Sequence, residues 1–222
     1  MSFSTDDEYD YQHLRSIEKI LESDESSSDS ETSGKYRLIT KRIDSSRIRH
    51  KIETFEINTC KCKNVVFPVD GNIRSGAIIY THSGDKTYFC MGIDSMFGDL
   101  TDFAGGVKKT DPSVISGGLR ELEEESLGIF GKLNETNVAN SLAFYTNNML
   151  VMFIKLDVDM EQTHQKFVSA FSGNTSGKDL EVSGIVWLEK EEFLNSISCK
   201  GRRMYSRVRK ILNRVVEIIA AL

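Results

Sequence analysis

Apolar positions recur with two periods along the chain: near-continuous or alternating runs through its middle, and three-to-four spacing in several segments. Each predicts an element. Residues 75–81 (SGAIIYT) and 86–93 (KTYFCMGI) are apolar runs with β-branched and aromatic content, separated by His82-Ser83-Gly84-Asp85, and predict two strands joined by a hairpin. A glycine-bearing loop comes next, then a helix from about Pro112 to Leu127. There Asp111 suits the N-cap and Pro112 the first helical position, where its missing N–H would be unpaired anyway. Residues 141–146 and 149–156 predict a second hairpin around Asn147-Asn148, 161–171 a helix and 184–188 a short strand. Helical patterns at 189–197 and 202–222 close the chain. In the second, Met204, Val208, Ile211, Val215, Ile218 and Leu222 alternate at spacings of four and three, so one face packs. Strands mixed with helices and joined by hairpins indicate an α+β or mixed α/β fold rather than a regular βαβ array.

The first 34 residues break this pattern. Residues 22–33 (ESDESSSDSETS) hold no apolar side chain that could offset the entropy of being ordered, and disorder is expected there. Ahead of them Leu14, Ile17 and Leu21 fall at helical spacing, which suits a short amphipathic turn for a partner or a transient helix. The serines among acids suit an acid-directed kinase, and each phosphate would add roughly −1.5 to −2 of charge. Of the chain's net −5, residues 1–34 carry −8, ten acids against Arg15 and Lys19, which leaves +3 for residues 35–222. The expected organisation is an acidic, serine-rich tail over 1–34 and one domain over 35–222 ending in a basic amphipathic helix. Residues 35–51 interleave seven cations with Leu38, Ile39, Ile43 and Ile48. The segment suits a solvated face on a half-buried stretch and also a nucleic-acid contact.

Several classes are excluded. No run approaches the roughly 18 apolar residues of a membrane span, and the acidic start has neither the basic region nor the apolar core of a secretory signal, so a soluble, intracellular protein without a membrane partner is expected. Cys60, Cys62, Cys90 and Cys199 are too few and too scattered for a disulfide framework. Cys60-Lys61-Cys62 has no second pair or nearby histidine to complete a zinc site. No pattern sets an oligomeric state.

The segment that carries chemistry runs from Gly105-Gly106 to Glu125. On a helix Glu121, Glu124 and Glu125 stand at i, i+3 and i+4, three carboxylates on one side of a single turn, while Ile115, Leu119, Leu122 and Ser126 trace the other. A solvated Glu-rich face with Arg120 pairing Glu124, helped by Lys108 and Lys109, would have this pattern. So would a hard-cation site opposite a Gly-Gly loop that brings backbone carbonyls close, since Mg²⁺ takes oxygen ligands and is shared between a few carboxylates and substrate phosphates.

The spacing resembles the Nudix box, G-x5-E-x7-R-E-U-x-E-E-x-G-U with U a bulky apolar residue. Gly106 lies fourteen residues before Arg120, and Arg120, Glu121, Leu122, Glu124 and Glu125 fill R-E-U-x-E-E in order. Two positions depart from the box. Pro112 stands where its first glutamate belongs, which removes a loop-tethering contact. Leu127 stands where glycine belongs, with Gly128 one residue later, so the helix is expected to exit one residue late with Gly128 at its C-cap. The wording TDFAGG and GGLRELEEESLG looks most like Nudix proteins encoded by large DNA viruses, which would put the protein in the host cytoplasm.

The resemblance implies a Nudix-type α/β/α sandwich with a mixed sheet, and a hydrolase that cuts a diphosphate linking a nucleoside to a further group with Mg²⁺ or Mn²⁺. It implies that Glu124 and Glu125 are metal ligands, Glu121 a third ligand or water-positioning catalytic group, and Arg120 the residue that orients Glu121. A backbone carbonyl at Gly105 or Gly106 is a further ligand, with glycine there because no side chain blocks the approach. Many members add a distal acid; Asp179 and Glu181, in the loop before the 184–188 strand, are the candidates and Glu181 the preferred one, although loop acids are also ordinary surface residues. The implied partner is a nucleotide-derived diphosphate substrate. RNA is a second: the C-terminal helix opens with Lys200, Arg202, Arg203, Arg207, Arg209, Lys210 and Arg214 and no acid, a density that suits an RNA backbone or the acidic tail. Trp187, Tyr80, Tyr88, Phe97, Phe144 and Tyr145 suit base stacking or the core. mRNA decapping is one branch of this expectation, and a non-catalytic Nudix-fold module that binds nucleotide or RNA is its rival.

Overall fold

Alternation along SGAIIYT and KTYFCMGI puts one set of side chains on each face of a sheet, and both faces are covered. In the computed structural model, residues 57–65, 72–146, 148–173 and 180–222 are described, all within one compact unit, Phe55–Leu222. The expected acidic tail, its short helical turn and the basic stretch at 35–51 lie outside them, as do Asn147 and Asp179.

The strands are β1 (Asn58–Lys61), β2 (Arg74–Ser83), β3 (Lys86–Asp94), β4 (Leu100–Thr101), β5 (Phe103–Gly106), β6 (Leu142–Tyr145), β7 (Met149–Lys155) and β8 (Val182–Glu189). They form one mixed sheet in the order β1-β6-β7-β2-β3-β4, with β5 also on β2 and β8 also on β3. Only β2 and β7 run parallel; the other pairs are antiparallel. The β2–β3 hairpin closes at Ser83↔Lys86, and its two-residue turn uses Gly84 at φ 63°, a conformation glycine adopts without strain.

β2 and β3 are paired only from Ile79↔Cys90 to the turn. Beyond that the space beside β2 is taken by β5, through Ala77↔Phe103 to Arg74↔Gly106, and the space beside β3 by β4, through Gly92↔Thr101 and Ile93↔Leu100. The sheet therefore forks, and the chain crosses the fork at Asp102. β4 and β5 are too short to show a period, which is why the sequence pattern shows only a glycine-bearing loop here.

Helix α1 (Val114–Glu125), α2 (Glu135–Val138) and α3 (Met160–Gly173) lie on one face. There Ile115, Leu119, Leu122, Val138 and Phe167 pack with Ala77, Ile79, Phe103, Leu150 and Met152. On the other face α4 (Lys190–Ile197), α5 (Ser206–Leu212) and α6 (Val216–Ala220) bring Phe193, Val208, Ile211, Leu212 and Ile219 against Ile78, Phe89, Val151 and Phe153. Phe193 stacks on Phe89 with ring centroids 4.3 Å apart. This is the expected α+β sandwich, a mixed sheet with helices on both sides.

Three local expectations are corrected. The N-cap of α1 is Ser113, not Asp111: its hydroxyl accepts from the Ser116 N–H at 3.0 Å, because the Asp111 carboxylate is held by Arg120. Ser113→Ala is expected to lower stability by about 1 kcal/mol in a denaturant melt. At the other end Leu127 itself is left-handed (φ 55°): its N–H donates to Glu124 O at 3.3 Å and that of Gly128 to Glu123 O at 2.8 Å. This pair of bonds ends the helix at the position where the box has glycine, not one residue later. The strain at Leu127 is offset by its packing against the core.

The expected 202–222 helix is two helices preceded by an extended stretch. Leu100 N–H donates to Arg203 O and Tyr205 N–H to Leu100 O, both at 2.8 Å, which pins residues 203–205 along β4. At Arg214 and Val215 the bonds tighten to Ile211 O and Leu212 O, each 3.1 Å, a three-residue step that rotates α6 relative to α5. Ile219 is consequently buried at 0% exposure and Ile218, expected on the packed face, is 39% exposed.

Candidate functional site

The fork, the Gly105-Gly106 strand end and the outer side of α1 meet in one place. α1 presses on the sheet at Gly118 and on the loop after β5 at Gly117, because neither puts a side chain there. A Cβ on Gly118 would stand 2.4 Å from Ser75 Oγ and 2.7 Å from Met152 Cε. That close seat carries the carboxylates at the far end of the helix to the backbone of β5.

Arg120 is the hub. Its Nε donates to Asp111 Oδ1 at 3.0 Å and its Nη2 to Asp111 Oδ2 at 2.9 Å and to Gly106 O at 3.0 Å. Its Nη1 donates to Glu121 Oε1 at 2.6 Å and to Glu124 Oε2 at 3.2 Å. Asp111 also accepts from the Lys108 N–H at 2.7 Å, so the loop between β5 and α1 is tied to the helix. The tether missing at Pro112 is supplied by its neighbour. Hydrogen bonds from Arg120, foremost, hold the Asp111 carboxyl below the usual carboxylate range, and Asp111 in turn raises the Arg120 guanidinium.

Of the four glutamates of α1, Glu121, Glu124 and Glu125 occupy different environments. Glu124 is 53% exposed and has Lys108 Nζ at 3.8 Å besides Arg120. Glu121 lies against Gly105, where a Cβ would come within 2.3 Å of its carboxylate. At Gly106 the same addition would meet nothing within 4 Å, so the steric need for glycine falls on Gly105. Gly105→Ala is expected to displace the Glu121 carboxylate and lower divalent-cation affinity roughly 10-fold or more while the melting temperature changes little; titration with Mn²⁺ checks it.

Glu125 is half-buried. Its Oε2 accepts from the Ala104 N–H at 2.7 Å. Burial, then the charge of Asp102, pushes its carboxyl up to about 9, with Arg74 and the Ala104 N–H acting against the rise and Glu181 adding to it. Asp102, at the crossing of the fork, is 0% exposed, and neither of its carboxylate oxygens has a hydrogen-bond partner among the described residues. Thr101 Oγ1 donates to the Asp102 backbone carbonyl instead, at 3.1 Å. Burial raises the Asp102 carboxyl too, opposed chiefly by Arg74, whose guanidinium lies 6.0 Å from the Tyr205 ring centre and whose Nε is also buried without a partner.

A buried and a half-buried acid thus share the field of one arginine, and the exposed Glu181 adds negative charge at their edge. Such an arrangement is costly unless a proton or a cation compensates it. Oxygen donors with unmet charge fit a hard divalent cation in kind. Among the described residues, no three His, Cys, Asp or Glu side chains stand close enough together to hold an ion in the observed arrangement. Arg120 holds Glu121 and shares Glu124 with Lys108, so an ion would compete with these cations for them.

Sequence reasoning named Arg120, Glu121, Glu124, Glu125, Gly106 and Glu181, and the fold brings all of them to this region. It missed Asp102, Arg74 and Asp111. The available signal was an acid inside the apolar and glycine run LTDFAGG, since a charge in a buried strand needs a reason. The four cysteines are free, as expected.

No protein-family model matches the chain, and no curated protein does either. Solved structures do match. One is the Ap4A hydrolase of C. elegans in a binary complex, at 15% identity and TM-score 0.40 over 68% of this chain and 100% of that one. Another is a C. elegans Ap4A hydrolase crystal structure, at 14% identity and TM-score 0.39 over 67% and 98%. A third is the NUDIX domain of Shewanella oneidensis NrtR complexed with ADP ribose, at 10% identity and TM-score 0.40 over 68% and 90%. The fold expected from the box and the observed sandwich agree. Among the described residues no helix is long and apolar enough to cross a membrane.

Proposed function

We propose that the chain is a divalent-metal-dependent Nudix hydrolase that cleaves the diphosphate linkage of a nucleoside diphosphate derivative inside the cell. The observation that carries the reading is the gathering of Glu125 and the buried, poorly partnered Asp102 beside the Arg120-held carboxylates and the Gly105-Gly106 backbone. Glu121, Glu124 and Glu125 would hold Mg²⁺ or Mn²⁺, joined by a carbonyl of Gly105 or Gly106. When bound, the ion neutralises the substrate's phosphates and makes water a better nucleophile.

The chain's own groups do the rest. Arg120 fixes Glu121, whose carboxylate orients a water for attack. Asp111 fixes Arg120. Gly105 leaves the room in which Glu121 approaches the β5 backbone. Glu181, at the exposed edge, is the distal acid.

An RNA substrate, with decapping as its chemistry, is supported by one specific feature. The extended stretch at 203–205 lies along β4, next in the chain to Asp102, which brings the cation-rich segment that contains it to that edge of the sheet, where Arg203 pairs with Asp99 at 3.0 Å. A polyanion lying there would release counterions, and its binding would weaken steeply with salt.

Turnover measured with Mg²⁺ and with Mn²⁺ on ADP-ribose, Ap4A, nucleoside triphosphates and capped RNA tests these readings. Hydrolysis of any of them supports the enzyme, and a steep salt dependence confined to capped RNA supports the RNA branch. Binding without turnover across the panel replaces the enzyme with a nucleotide- or RNA-binding module.

A further inference from the structure

Asp102 lies outside α1 and outside the Gly-Gly loop, on the crossing between β4 and β5, and takes no part in the roles assigned to those elements. A fully buried aspartate whose carboxylate oxygens meet no well-formed hydrogen bond among the described residues, with only Arg74, its own N–H and the Thr101 hydroxyl near enough to oppose its rise, is expensive. Arg74, the cation that opposes its rise, makes no ion pair with it among the described residues and is shared with Glu125. Ala104, two residues further along the chain in β5, gives its N–H to Glu125, so the backbone that follows Asp102 also fixes the Glu125 carboxylate. A fully buried acid and a half-buried one thus share the field of Arg74, and the buried one has no well-formed hydrogen bond of its own among the described residues.

We propose that Asp102 belongs to the divalent-cation site, binding the ion together with Glu125. The inference rests on the metal-dependent reading above. Two carboxylates with a backbone carbonyl, water and substrate phosphate satisfy an ion such as Mg²⁺, which rarely takes an all-protein cage. On this assignment the metal-free protein is destabilised by Asp102 and the metal-loaded protein is stabilised by it. A structural aspartate that served Arg74 would behave in the opposite way in the first state and indifferently to the ion in the second.

The test uses the full chain and Mn²⁺ alone, with calorimetric titration, the paramagnetic signal of free Mn²⁺, and melting curves in chelator and in saturating Mn²⁺. Asp102→Asn keeps the shape and removes the charge; Asp102→Ser is the second variant should the first fail to fold. The expected result is roughly 10- to 100-fold weaker Mn²⁺ binding, the range seen when groups around a metal are removed, together with a higher melting temperature in chelator and a smaller rise on adding Mn²⁺. Unchanged Mn²⁺ affinity overturns the proposal, as does a lower melting temperature in chelator with the Mn²⁺-induced rise intact, the signature of a partner for Arg74. Glu125→Gln separates this proposal from the reading beneath it. If it abolishes Mn²⁺ binding while Asp102→Asn does not weaken it, the metal reading stands and this proposal falls. If the unaltered chain takes up no Mn²⁺, both fall.

Discussion

Glu125→Gln is expected to reduce turnover on the best substrate of the panel by roughly 10²–10³-fold, the several kcal/mol that a bound cation contributes to a transition state at about 1.36 kcal/mol per tenfold. The substitution keeps the bond with the Ala104 N–H, because the amide oxygen can still accept it, so the fold should survive. It removes the proton uptake that burial and Asp102 impose on folding above the ordinary glutamate range, and the metal-free protein should melt higher at about pH 8 than the unaltered chain. Near-normal turnover in the variant would sink the ligand assignment.

The pH dependence has a definite sign. A carboxyl raised to about 9 in the folded protein, against an ordinary glutamate value near 4.3, binds a proton in the folded state that the unfolded state releases. Its contribution to stability is fully present below the ordinary value and is lost as pH rises toward 9. Melting of the metal-free chain should therefore become easier from about pH 5 to about pH 9, and the slope should shrink in Glu125→Gln. A cation must displace the same proton, so Mn²⁺ affinity should climb over the same interval.

Legibility in the sequence depends on what each signal physically is. The hairpin 75–93, the helix carrying Glu121, Glu124 and Glu125, and the 182–189 strand were legible because long periodic segments are fixed by their own apolar pattern. β4 and β5 were not, since a two-residue and a four-residue strand owe their existence to partners far along the chain. Asp102 was hidden for the same reason: only the fork makes its position buried. Asp111 was read as a cap because Asp before Pro suits one, yet Arg120, nine residues on, offers it a charged two-pronged partner, and Ser113 was at hand to cap instead. The C-terminal helix was over-extended because its four-and-three spacing continues through Arg214 and Val215, while the tightened turn there is a backbone event with no side-chain signature.

Arg120→Lys should be nearly as damaging as loss of a ligand, although it conserves charge. Arg120 makes five hydrogen bonds at once, to both oxygens of Asp111, to Gly106 O, to Glu121 and to Glu124. An ammonium has three donors at a single point and cannot span acceptors on a loop, a strand end and a helix together. The contact with the half-exposed Glu124 matters least, because water screens it. The contacts with Asp111 and Glu121, whose side chains are 8% and 13% exposed, matter most. With lysine the Glu121 carboxylate loses its fixed direction and the loop its tether, and turnover is expected to fall roughly 10- to 100-fold, mainly in kcat, since the cation's own ligands remain. Stability should drop by about 1.5–3 kcal/mol at neutral pH, the worth of a charged hydrogen bond. The acid limb supplies the check. Arg120 holds the Asp111 carboxyl below its ordinary value, so the stability it contributes is present above that value, near 3.9, and lost as pH falls through the lower folded-state one. The gap between the parent chain and Arg120→Lys should be constant above about pH 5 and close in stronger acid; a gap that persists undiminished at about pH 2 would show that Asp111 is not the partner through which Arg120 acts.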